Sequence, residues 1–129
     1  MVYVARVVGR GTGVYHAAHG ADASLPVLVD GDPAFGGAGR APGPFEHLLG
    51  SLSACCQITA EIVAGSRGWS LRGFRSTTEA RFDNRVLVRG RPGTSHFESV
   101  DIGVEIDADL TAEQVRELEA EVERRCPIR

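Results

Sequence analysis

Apolar residues along the chain switch between a two-residue period and one of roughly 3.6 residues, and the switches divide it into elements. Val2-Tyr3-Val4-Ala5-Arg6-Val7-Val8 is dense in β-branched and aromatic residues and predicts a strand. The glycines of Gly9-Arg10-Gly11-Thr12-Gly13 break it, and Val14 to Ala18 resumes as the second arm of a hairpin. Leu25 to Val29 predicts a third strand, its Pro26 marking an edge or a strand start. Residues 30–44, DGDPAFGGAGRAPGP, read as a glycine- and proline-rich loop, long for a compact domain and therefore of functional interest.

The period then becomes helical. Pro44 suits a first helical turn, and Phe45, Leu48, Leu49, Leu52, Cys55, Cys56, Thr59, Ile62 and Val63 recur at helical spacing until Gly65 and Gly68 mark the end. Leu71 to about Val88 alternates and predicts a strand pair turning near Asp83-Asn84. Arg89 to Ser95 is a second loop, and Phe97 to Ala108 alternates as a half-buried strand. Thr111-Ala112-Glu113-Gln114 is a capping box, Val115, Leu118 and Val122 form the apolar stripe of the helix it opens, and Pro127 stops that helix. Three strands, a helix, two or three strands and a helix predict an α+β fold with an antiparallel sheet.

Composition narrows the picture. The 129 residues are enough for one domain (residues 1–129) with a core of its own, and 43% apolar with 24% charged residues is ordinary for a globular protein. The net charge of −3 and the scattering of the basic residues argue against a nucleic-acid partner. All 14 basic residues are arginine, which speaks of a GC-rich genome more than of a function. No apolar run approaches the roughly 20 residues of a membrane span, and no signal peptide opens the sequence. A cytoplasmic protein without a membrane partner is expected.

The three cysteines, Cys55, Cys56 and Cys126, cannot all pair within one chain. In a reducing compartment they are buried filling, metal ligands or redox catalysts. Helical residues seven apart nearly eclipse, so Cys55 aligns with Leu48 and Ile62, and Cys56 with Leu49 and Val63. Both lie on a broad apolar face. Cys126 is four residues beyond Val122 and extends the stripe of the second helix. Cys55 or Cys56 and Cys126 can therefore face inward from two helices, the arrangement a redox pair needs, although burial as inert filling fits the same pattern. A mid-helix thiol ionises near neutral pH only beside a cation; Arg10 in the first glycine-rich turn and Arg40 in the loop before the helix are the candidates.

Other constellations carry less. His16 and His19, three apart on a strand, point to opposite faces and do not share a metal ion readily. Gly9-Arg10-Gly11-Thr12-Gly13 has no helix after it and is not a nucleotide loop. The alternating charges of the second helix are a solvated face.

Gly43-Pro44-Phe45-Glu46-His47-Leu48-Leu49 followed by Leu52-Ser53-Ala54-Cys55 resembles the Gly/Asn-Pro-x-Glu-x-Leu-Leu and Leu/His-x-Ala/Gly-Cys pattern that opens the long helix of the OsmC/Ohr family. Gly36-Gly37, Gly68-Trp69, Asp107 to Gln114 and Arg125-Cys126-Pro127 fit the same family, so the resemblance spans nearly the whole chain. It implies an intertwined α+β homodimer with long helices at its centre, and a thiol peroxidase that needs no metal or organic cofactor. Cys55, eleven residues after Pro44, would attack an organic hydroperoxide, and Cys126 would resolve the sulfenate as a disulfide that an external dithiol reduces. Arg10 or Arg40 would activate the thiol. Phe45 stands where the family carries the glutamate that orients this arginine, which leaves Glu46 as the nearest carboxylate. Phe45, Leu48 and Leu52 would line the site and favour alkyl peroxides. Cys56 is expected to be core. The family adds a last strand after the second Cys-Pro, and the three residues beyond Cys126 would leave a sheet edge open. The rival expectation is a non-catalytic small-molecule-binding or interaction dimer with structural cysteines.

Overall fold

The computed structural model describes residues 1–20 and 25–129. They form two compact units, residues 1–48 and 49–129.

The first unit holds a three-stranded antiparallel sheet in the order β1 (Val7–Thr12), β2 (Tyr15–Gly20), β3 (Val27–Asp30). The hairpin is the expected one, but its first strand starts later than Val2. Thr12 pairs with Tyr15 across Gly13 and Val14, and counting back from that tight turn places Val7 opposite Gly20. Val2 to Val4 lie ahead of the strand, exposed. Gly9 belongs to the strand rather than ending it. A Cβ there would collide with the His16 ring, so the glycine permits a close cross-strand approach, a common reason for glycine inside a strand. The loop of residues 30–44 contains one 3-10 turn, Pro33–Phe35, capped by the Asp32 side chain.

Helix α1 (Pro44–Arg67) begins in the first unit and continues through the second. Contrary to the expectation from apolar run length, its length and composition would suffice to cross a bilayer. In the second unit it instead supplies Cys56, Thr59, Ala60, Val63 and Ala64 to a buried face. That face is narrower than the apolar pattern predicts: Leu48 and Ile62 are 51% and 61% exposed.

Strands β4 (Leu71–Arg81) and β5 (Ser99–Ala108) pair antiparallel, with Phe74 opposite Ile106 and Thr78 opposite Ile102. The partner predicted for β4 near Val88 is not a strand. Residues Asn84–Arg89 form a short helix, α2, because both its ends are capped: the Asp83 carboxylate accepts from Arg85 N–H, and Gly90 takes the left-handed conformation at φ 61°. These local signals override the β-branched content of NRVLVR. Among the described residues β4 therefore pairs with β5 alone.

Helix α3 (Ala112–Arg125) opens with the expected capping box between Thr111 and Gln114. Leu118 and Val122 are buried and meet Cys56, Ala60 and Val63 of α1; Phe74, Ile102 and Ile106 of the sheet pack against them. An Arg67–Glu117 ion pair also ties α1 to α3. The core of the second unit is thus a helix pair laid on a hairpin.

Candidate active site: a cluster of three thiols

All three cysteines are free thiols, and all belong to the second unit. Cys126 ends α3, where its N–H still bonds the Val122 carbonyl, and Pro127 takes the chain out of the helix. This stop directs the Cys126 side chain at α1. Its sulfur lies 3.0 Å from that of Cys55, hydrogen-bonded to it, across 71 residues of sequence. Cys56 is close enough for its ionisation and that of Cys126 to influence each other. Successive helical residues diverge by about 100°, so Cys126 faces α1 between two thiols that point apart. Leu52, one turn before Cys55 and Cys56, packs, as Cys55 does, against the buried core that holds Cys56 and Cys126.

The three sulfurs differ in access and in charge. Cys55 is half-buried, whereas Cys56 and Cys126 are 1% and 5% exposed. Burial pushes the Cys55 thiol up, and the neighbouring Cys126 pushes it further; the same two causes raise Cys56. Cys126 goes the other way. Burial raises it too, but hydrogen bonding from Cys55, Cys56 and the backbone N–H groups of Ile128 and Arg129 outweighs that and leaves it below the ordinary thiol range. A single negative charge in the cluster therefore rests most readily on Cys126. The Thr59 hydroxyl donates to the Cys55 carbonyl at 2.7 Å.

The expected arginines, Glu46, Phe45 and Leu48 belong to the first unit. Arg10 is on the exposed strand β1. Arg40 is held firmly: its Nε donates to Asp30 Oδ2 at 2.9 Å, its backbone N–H to the same oxygen at 3.0 Å, and its guanidinium lies 4.3 Å over the Tyr15 ring. Asp30 is fully buried at the end of β3. Hydrogen bonds from the Arg40 backbone and side chain hold its carboxyl below the usual range against the opposing effect of burial. The Glu46 carboxylate accepts from Gly43 N–H at the mouth of α1, and Phe45 stacks edge-on against Phe35. Within this unit the carboxylate on Arg40 is Asp30. Among the described residues no group of three or more His, Cys, Asp or Glu is arranged to hold a metal ion.

The OsmC-like protein family model matches residues 36–129, the stretch that carries α1, the hairpin, α3 and all three cysteines. The chain belongs to the OsmC family. Its fold is similar to that of an OsmC-like protein from Mycoplasma pneumoniae, with 18% identity, a TM-score of 0.82 and coverage of 99% of this chain and 86% of that one. An organic hydroperoxide resistance protein OsmC from Legionella pneumophila is similar at 21% identity and TM-score 0.67, covering 99% and 88%. One from Elizabethkingia anophelis is similar at 18% and 0.72, covering 98% and 86%. No functionally curated protein matches the sequence.

Two residues of this OsmC-family chain carry more chemistry than their sequence context gives away. Asp30 opens a glycine-rich loop, where a lone aspartate reads as a turn residue; nothing local marks it as buried. Cys56 sits on an apolar face and reads as filling, and its proximity to Cys126 becomes visible only through packing.

Proposed function

We propose that this OsmC-family chain reduces organic hydroperoxides through Cys55 and Cys126, as a homodimer, with an external dithiol as reductant. The observation that carries the reading is the 3.0 Å sulfur pair formed from opposite ends of the second unit. The family membership and the organic hydroperoxide resistance proteins that share the fold support it.

Cys55, the most accessible sulfur, is the one a peroxide meets. Its proton passes to Cys126 as it attacks a peroxide oxygen. The O–O bond breaks, the alkoxide takes that proton and leaves as an alcohol, and Cys55 becomes a sulfenic acid. Cys126, again a thiolate, attacks the Cys55 sulfur and expels hydroxide, which solvent protonates to water, and the disulfide closes. An external dithiol restores both thiols. Leu52, which packs against the core beside Cys55, is assigned to the alkyl group of the substrate.

Activation of the Cys55 thiol is assigned to Arg40 rather than Arg10, because a buried carboxylate and an aromatic ring fix its guanidinium within its own unit. Alkylation by iodoacetamide tests this. In a Cys56→Ser background, Arg40→Ala and Asp30→Asn are expected to slow alkylation of Cys55 near neutral pH by about tenfold, and Arg10→Ala to leave it alone. Equal rates in all variants would remove Arg40 from the mechanism.

For the homodimer, support comes from Ile58 and Ile62, one turn apart on α1 and both largely exposed. Covering them is worth about 1.5–3 kcal/mol per side chain. Ile58→Asp with Ile62→Asp is expected to shift the sedimentation coefficient from dimer to monomer; an unchanged dimer would place the interface elsewhere.

A further inference from the structure

We propose that Cys56 is a third redox thiol, to which the Cys55–Cys126 disulfide is passed by exchange at Cys126. The inference rests on the peroxidase reading for its oxidant, and on the geometry of the second unit for everything else.

Cys56 is the most deeply buried thiol, yet it is not sealed in solid packing. It lines a cavity of about 210 Å³ between α1, α3 and the sheet, walled by Phe74, Ile102, Ile106 and Leu118 and reached by the side chain of Arg129. A sulfur that only fills a core has no need of such space. Arg129 also bears on Cys56 electrostatically, favouring its thiolate against the burial and the neighbouring sulfurs that oppose it. Cys56 and Cys126 belong to one buried core cluster, and the cavity gives the Cys56 side chain room to shift.

The exchange balances without another reagent. Cys56 loses its proton and its thiolate attacks Cys126 Sγ; the Cys55–Cys126 bond breaks, the Cys56–Cys126 bond forms, and Cys55 leaves as a thiolate that takes up the proton. No electrons are gained or lost overall. The result is an accessible Cys55 thiol ready for a second peroxide, while the first oxidation is stored on the buried pair. The chain would then hold one disulfide, a two-electron oxidation, away from the exposed sulfur.

Differential labelling tests this apart from peroxide chemistry. The reduced protein is oxidised with diamide to one disulfide per chain and quenched in acid. After denaturation the remaining thiol is alkylated and located by peptide fragmentation. The label is expected on both Cys55 and Cys56, with Cys55 carrying more than about one tenth, an exchange equilibrium within tenfold. Label confined to Cys56 overturns the inference and leaves a Cys55–Cys126 pair standing; label on Cys126 overturns it as well. In Cys55→Ser the same treatment is expected to remove two hydrogens and link residues 56 and 126 within one chain, and an unlinked product contradicts the inference. A parallel sample oxidised with an alkyl hydroperoxide bears on the peroxidase reading alone.

Discussion

Replacing Cys55 by serine is expected to lower the turnover of an alkyl hydroperoxide, coupled to a dithiol, by a factor of about a thousand or more. Losses of that order follow removal of a nucleophile that forms a covalent intermediate. Serine keeps the size and the hydrogen bond of cysteine but not its reactivity, so the loss reports chemistry rather than folding. Cys126→Ser separates the two roles. It leaves the attacking sulfur in place and removes the one that resolves it, so a single dose of hydroperoxide should be consumed and a sulfenic acid should accumulate at Cys55, trappable with dimedone. Because Cys126 is the sulfur that most readily holds charge, the opposite allocation is chemically available. Trapping at Cys126 in the Cys55→Ser protein, with peroxide still consumed, would reverse the assignment.

The second large effect is on stability. Leu118 is 1% exposed at the centre of the α1–α3 contact, against Cys56, Ala60, Val63, Val122 and Cys126. Leu118→Ala is expected to cost about 2–5 kcal/mol. A value in the upper half of that range is anticipated, because the side chain already borders a cavity and its removal enlarges a space the surroundings do not close. The same substitution loosens the helix that carries Cys126. Urea unfolding should show the fall in stability, and the rate of disulfide closure after oxidation should fall with it. A loss below about 1 kcal/mol would mean that the helix pair is not the core of this unit.

Much of this was legible in the residues, for identifiable reasons. The helical spacing from Phe45 to Val63 and the Thr111–Gln114 box are local signals, and α1 and α3 follow them. The strand predicted after Asp83 failed because two caps, one at each end of six residues, outweighed their β-branched side chains. The first strand slipped because a turn at Gly13 fixes the register, whereas glycine content suggests only where a strand weakens. Periodicity placed the cysteines on an apolar face but gave no means of ranking Cys55 against Cys56; the orientation at the end of α3 does that, and it depends on packing. Asp30 was invisible for a similar reason, since its partner lies ten residues away across a loop whose course the sequence does not encode locally.

The two sulfurs held together at 3.0 Å are expected to convert a hydroperoxide into a disulfide. The direct measurement is the intact mass of the reduced protein after one equivalent of an alkyl hydroperoxide, followed by a non-reducing peptide map of the freshly quenched sample. The expected result is the loss of two hydrogens, release of the corresponding alcohol, and a peptide carrying Cys55 or its exchange partner Cys56 joined to the one carrying Cys126. An unchanged mass with the hydroperoxide intact, or added oxygen without any link to Cys126, would contradict it.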